Sequence, residues 1–224
     1  MLLVNDKYIY IHFPKTGGSF VKKCLRELGC AKSVLTKHSC PIELEIISKY
    51  NSLPKVTSIR NPWDWYVSLW AFRNSQKKAH MKNTDKRHMV NIWPFWDSFD
   101  VFIRSVLDDS LGKAGEVIVG SGSHCSRPIG EMLDNDIGLY SLFFNHFCYL
   151  NGKEYIFNYM RTENLASDIV RSFGLTKQQA RDISRCSKVN TSQHKYYKKY
   201  YSKETRKLVA HKDRHIIKKF GYNF

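Results

Sequence analysis

Read from the amino end, the chain alternates short β-branched and aromatic runs with longer stretches of helical spacing. "KYIYIHF" (7–13) predicts a strand. The pattern breaks at Pro14 and at Gly17–Gly18, and a helix is predicted from Ser19 to about Leu28. A second unit repeats the layout. "KVTSIR" (55–60) predicts a strand, "NP" follows, and "WDWYVSLWAFRN" predicts a helix. Pro62 falls in the first turn of that helix, where a missing N–H costs no intrahelical bond. Between the two, "SVL" (33–35) is a short strand candidate, and "CPIELEIISKY" (40–50) has helical spacing with Pro41 near its start. "EYIFNYMR" (154–161) predicts a further strand. "NLASDIVRSFG" and "TKQQARDISR" predict helices, the second with Thr176 as N-cap. Strands alternating with helices predict an α/β fold around a central, mostly parallel sheet flanked by helices.

The middle breaks this rhythm. Residues 74–96 are polar, basic and Trp-rich, and residues 112–138 are rich in Gly, Ser and Asp. Long polar segments of this kind serve as functional loops or lids. The length of 224 residues suits one domain, with residues 75–150 read as a variable acceptor-binding insertion. No internal repeat or low-complexity tract occurs.

Charge narrows the partners. Lys and Arg number 36 against 20 Asp and Glu, a formal net charge of +16. Such an excess favours anionic partners: nucleotide, polyanion, nucleic acid or acidic membrane. Much of it lies in "HKYYKKYYSKETRKLVAHKDRHIIKK" (194–219), which reads equally well as the solvated face of a helix. The six cysteines form no C-x-x-C pair, a usage expected of reduced, buried thiols in a cytosolic protein rather than of a zinc site. "MLLVNDKYIYIHF" lacks the basic region, apolar core and cleavage site of a signal peptide, and no apolar run approaches 18 residues. A cytoplasmic protein without a transmembrane segment is expected.

The first candidate for chemistry is "PKTGGSF" (14–20), a strand-to-helix corner. Gly17 and Gly18 allow close backbone approach to an anion. Ser19 and Phe20 open the helix, whose first N–H groups lack intrahelical acceptors and attract negative charge. Lys15 adds a mobile cation. An ordinary β-turn-α corner is the plain alternative. The second candidate is "RNPWDWYVSLW" (60–70), where Arg60 closes a strand and Ser68 follows eight residues on. Arg offers a bidentate fork to a phosphate and Ser a short hydrogen bond.

Together the two motifs, "PKTGGSF" after a first strand and "RNPxDxxVS" after a later one, resemble the sulfotransferases that use 3′-phosphoadenosine 5′-phosphosulfate, PAPS. "MRTENLASD" (160–168) resembles that family's "R-x-E-x-L…D" segment. "VNTS" followed by the basic tail and "FGYNF" resembles the endings of Golgi carbohydrate sulfotransferases and their bacterial relatives. The resemblance covers residues 7–70 and 155–224. It departs in that no Golgi membrane anchor is expected from these residues, and in reading "GGS" where relatives vary.

The resemblance implies a P-loop-type three-layer fold, and sulfuryl transfer from PAPS to a hydroxyl acceptor, most simply a carbohydrate, with 3′,5′-adenosine bisphosphate leaving. It implies a nucleotide site of Lys15, Thr16, Gly17, Gly18, Ser19, Phe20, Arg60 and Ser68, with Arg60 and Ser68 on the 3′-phosphate and no metal. Lys15 is then the stabiliser of the departing oxygen. His38 in "TKHSCPIEL" is the leading base, with Glu43 and Glu45 as alternatives. His12, inside the first strand, reads as a packed histidine, and Glu163 as a residue that orders loops. The acceptor is expected to be a small molecule or glycan, with no specific nucleic acid. Two other classes stand against this reading. A phosphate-loop kinase or hydrolase needs G-K-[ST] and a carboxylate for Mg²⁺, neither of which is seen. A non-catalytic basic module binding polyanion or nucleic acid fits the charge but leaves the paired motifs unexplained.

Overall fold

The computed structural model describes residues 1–81, 98–107, 136–187, 189 and 194–224. Trp93, Trp96 and most of the expected insertion at 75–150 lie outside them. The chain divides into two compact units, residues 1–60 with 143–191 and residues 61–142 with 192–224. Among the described residues no helix is long and apolar enough to cross a membrane.

The first unit is α/β. Its strands are β1 (Leu2–Val4), β2 (Tyr8–Ile11), β3 (Ala31–Ser33), β4 (Lys55–Ile59), the short hairpin β5 (Tyr149–Leu150) and β6 (Lys153–Glu154), and β7 (Asn158–Arg161). Five form one sheet in the order β3-β1-β2-β4-β7. β2, β4 and β7 run parallel, whereas β1 is antiparallel to both β2 and β3. The expected mostly parallel sheet is thus a mixed one. The cause is "MLLV": Asn5 and Asp6 adopt φ of 51° and 54°, the left-handed pair of a tight hairpin turn, and fold β1 back onto β2.

Helices α1 (Gly18–Glu27), α2 (Pro41–Glu45), α6 (Leu165–Phe173) and α7 (Lys177–Arg185) belong to this unit. Thr176 caps α7 as expected, its hydroxyl accepting from Gln179 N–H at 3.2 Å. The expected strand at 154–161 is shorter and starts at Asn158, because Asn151 and Gly152 turn the preceding residues into the β5–β6 hairpin.

The interior strand β4 is buried at all five positions although Lys55, Thr57 and Ser58 are polar. Burial is tolerated because each finds a partner. Thr57 Oγ1 donates to Ile11 O at 2.7 Å, Lys55 Nζ donates to Asn51 O, and Ser58 joins the chain of hydroxyls described below. The helix-side core of the sheet gathers Val4, Val21, Leu25, Val56, Ile169 and Phe173.

The second unit is helical. It holds α3 (Pro62–Met81), α4 (Phe99–Leu107), α8 (Lys203–Lys212), α9 (Arg214–Phe220) and the opening residues of α5 (Leu139–Cys148). Pro62 begins α3 as the sequence predicts. Asn61 caps it, its Oδ1 accepting from Trp63 N–H at 3.0 Å. The aromatic residues explain the core: Trp65 and Tyr66 are fully buried, and Trp65 meets the Tyr140 ring edge-on at 5.1 Å. Tyr66 OH donates to Asp213 at 2.7 Å, and the N–H and hydroxyl of Ser141 donate to the same carboxylate at 2.8 and 2.7 Å. Burial pushes the Asp213 carboxyl up to about 6, against the lowering effect of these donors. The carboxyl-terminal segment returns to the start of α3. Asn61 Nδ2 donates to Asn223 O at 2.9 Å, and Phe224 meets the Trp63 ring edge-on at 5.6 Å. "NPW" (61–63) and the final "NF" (223–224), far apart in sequence, therefore meet in space.

Candidate functional site

β2 ends at Ile11, and residues 14–17 form the turn into α1. Two residues of this turn have positive φ: Lys15 at 65° and Gly17 at 83°. The left-handed region costs an L side chain about 1–2 kcal/mol, so a lysine held there is strained locally. The glycines are required by packing. A Cβ on Gly18 meets Cδ2 and Nε2 of His12 at 2.5 and 2.6 Å, and one on Gly17 meets Leu165 Cδ2 at 2.5 Å. His12 thus occupies the space that the missing side chain leaves under the first turn of α1.

The loop is braced from beneath. Thr16 is fully buried, and its hydroxyl donates to Phe13 O at 2.8 Å. Having one proton, it must accept from Ser58 Oγ, also at 2.8 Å, and Ser58 in turn accepts from Tyr10 OH at 2.8 Å. The sequence of donors is Tyr10 to Ser58 to Thr16 to Phe13 carbonyl. Thr16 therefore offers a ligand only its backbone. Phe20 N–H donates to Gly17 O at 2.9 Å and so serves the helix.

Two neighbouring segments fix the other side of the turn. Arg60, at the end of β4, donates from Nη1 to Lys15 O at 3.3 Å. Thr162, just after β7, points its hydroxyl at both Ile59 O and Thr16 O, at 2.8 and 3.0 Å. Parallel pairing of β2, β4 and β7 brings these three strand ends together. Asp168 secures the last strand by accepting from Arg161 N–H at 2.7 Å, which gives the "R-x-E-x-L…D" stretch a structural role. Glu163 is exposed.

The "TKHSC" turn reaches the loop as well. Lys37 Nζ donates to Ser19 Oγ at 3.1 Å. The half-buried His38 has its ring centroid 4.7 Å from that of His12, tilted by 58°. His12 is 6% exposed, and burial first, then the charges of His38 and Lys37, hold it well below the usual histidine range. Of the alternative bases, Glu43 caps α2, accepting from Cys40 N–H at 2.6 Å, and Glu45 is exposed.

The structure thus gathers Lys15, Thr16, Gly17, Gly18, Ser19, His38 and Arg60 in the first unit. Ser68 is 2% exposed on α3 in the second. Sequence reasoning passed over Thr162 and Lys37. Thr162 lies inside a motif read for its charged residues, and Lys37 directly precedes the histidine that drew attention. Among the described residues no cluster of His, Cys, Asp or Glu gathers three potential metal ligands. Comparison of the chain with protein-family models, with characterised proteins and with solved structures gave no match.

Proposed function

We propose that the chain is a PAPS-dependent sulfotransferase built on a P-loop-type three-layer fold. One observation supports this above the others: the turn carrying His38 packs against the phosphate-type loop through the His12–His38 ring contact and the Lys37–Ser19 hydrogen bond. An anion-cradling loop, a strand-end arginine and a candidate base then share one sheet edge. Ligands of parallel α/β units sit at that carboxyl edge.

The residues suit a doubly anionic nucleotide. The first turn of α1 supplies helix N–H groups, Lys15 a cation, and Arg60 a fork for the 3′-phosphate. PAPS, when bound, supplies an activated sulfuryl group. Lys15 balances negative charge that grows on the departing oxygen. His38 takes the acceptor hydroxyl's proton on a ring nitrogen. Thr162 and the Tyr10–Ser58–Thr16 hydroxyls keep the loop in place while charge shifts. The acceptor in this reading is a hydroxyl compound, most simply a carbohydrate. Calorimetric titration with 3′,5′-adenosine bisphosphate, with ATP and Mg²⁺, and with an oligonucleotide tests the proposal. The bisphosphate is expected to bind tightest; preference for either other ligand overturns it.

A further inference from the structure

A second feature lies beside the loop. A small open cleft is lined by, among others, Tyr10, His12, Lys22, Ser33 and Lys37. The fold explains the gathering. Tyr10 lies in β2 and His12 one residue past its end; two apart, they project to the same side, with ring centroids 6.3 Å apart. The antiparallel register sets Leu2 opposite both Tyr10 and Ser33, which continues that row to the sheet edge. Ser19 and Lys22, three residues apart, share one face of α1, and Lys37 joins that face through Ser19.

The cleft is cationic. His12 is nine-tenths buried, yet no described residue hydrogen-bonds either ring nitrogen. Lys22 and Lys37 have no carboxylate at ion-pair distance among the described residues, and the charge of Lys22 holds the Lys37 ammonium below its usual range, after the larger effect of burial. Two ammonium groups beside a buried imidazole, with no carboxylate among the described residues to balance them, are an arrangement that an anion stabilises.

We propose that His12, Lys22 and Lys37 form a binding site for a small oxyanion, a sulfate or phosphate group, separate from the loop at Lys15. The group is either the free ion or part of a larger molecule. The site stands whether or not the loop takes a nucleotide.

The test follows the His12 side-chain nitrogens by NMR in the full chain while sodium sulfate is titrated at constant ionic strength. Wild type should give a saturable shift. Lys15→Ala should keep it, and saturating 3′,5′-adenosine bisphosphate should leave it in place. Lys22→Gln with Lys37→Gln should weaken it tenfold or more; Lys37→Gln alone, an exposed position, gives the same reading if the double variant fails to fold. Repeating the titration with methyl sulfate separates the sources: saturation by both ions assigns the site to an esterified group, and saturation by sulfate alone to the free ion. A linear drift in wild type, an unchanged response in the lysine variants, or loss of the response in Lys15→Ala or under bisphosphate overturns the proposal.

Discussion

The ring of His12 fills the space a side chain would take at Gly18 and at the same time touches the ring of His38, 4.7 Å away between centroids. One buried histidine therefore sets both the shape of the first turn of α1 and the seat of the candidate base. Gly18→Ala should push His12 aside and destabilise the protein by about 1–3 kcal/mol, as overpacking does. His12→Ala opens that space, so the cost of Gly18→Ala should fall sharply in the double variant. Chemical denaturation of the four proteins measures the coupling. Additive losses contradict the packing.

His38 and His12 should separate in activity. His38→Ala is expected to lower sulfuryl transfer by about 10²–10⁴-fold with nucleotide affinity unchanged, the usual loss for a base. The acidic limb of the rate profile should vanish with it. His12, held well below 6.5 by burial, contributes no limb there. Retention of more than a third of the rate in His38→Ala shifts the role to another residue, and Glu43 is tested next.

Thr162 hydrogen-bonds the loop through the Thr16 carbonyl. Thr162→Val removes the donor shared by Ile59 O and Thr16 O. A stability loss of about 1 kcal/mol is expected, near the worth of one hydrogen bond. Bisphosphate affinity should fall several-fold although Thr162 contributes no charge. Full affinity in Thr162→Val shows that the loop does not need this brace.

Asp213 offers a pH test within the second unit. Its carboxyl is raised to about 6 by burial, so between pH 4 and 6 the folded state binds more protons than the unfolded one. Its contribution is therefore fully present below the unfolded pKa and is lost as pH rises through about 6. Relative to Asp213→Asn, wild-type stability should decline over that window by on the order of 3 kcal/mol. A difference that grows with pH contradicts the raised value. Asp213→Ala should cost about 3 kcal/mol or more at any pH, because Tyr66 and Ser141 lose their acceptor.

Local chemistry made several of these elements legible. Pro62 at a helix start, Thr176 as a cap and the strand at 55–59 all follow from single residues or from a buried β-branched run. β1 escaped because three apolar residues carry no period. The signal was the turn chemistry of Asn5–Asp6, and likewise of Asn151–Gly152 before the shortened last strand. The site was partly legible for the same reason. The loop and Arg60 are adjacent to strands that the pattern identifies. The burial of His12 was legible from its place beside the first strand. The position of His38 beside the loop, the bracing by Thr162 and the contact of His12 with Gly18 and His38 depend on how segments pack against one another, which periodicity does not encode.

The central claim, that the loop and Arg60 read a nucleotide phosphorylated at both the 3′ and 5′ positions, is tested most directly by calorimetry of wild type and Arg60→Ala in EDTA. The ligands are 3′,5′-adenosine bisphosphate and adenosine 5′-phosphosulfate, which lacks the 3′-phosphate. Arg60 also supports the Lys15 carbonyl, so a small loss common to both ligands is expected. Beyond it, the bisphosphate alone should lose about 2–5 kcal/mol, the cost of truncating one partner of a buried charge pair. Equal losses for the two ligands, or wild-type binding that appears only when Mg²⁺ is restored, contradict the account.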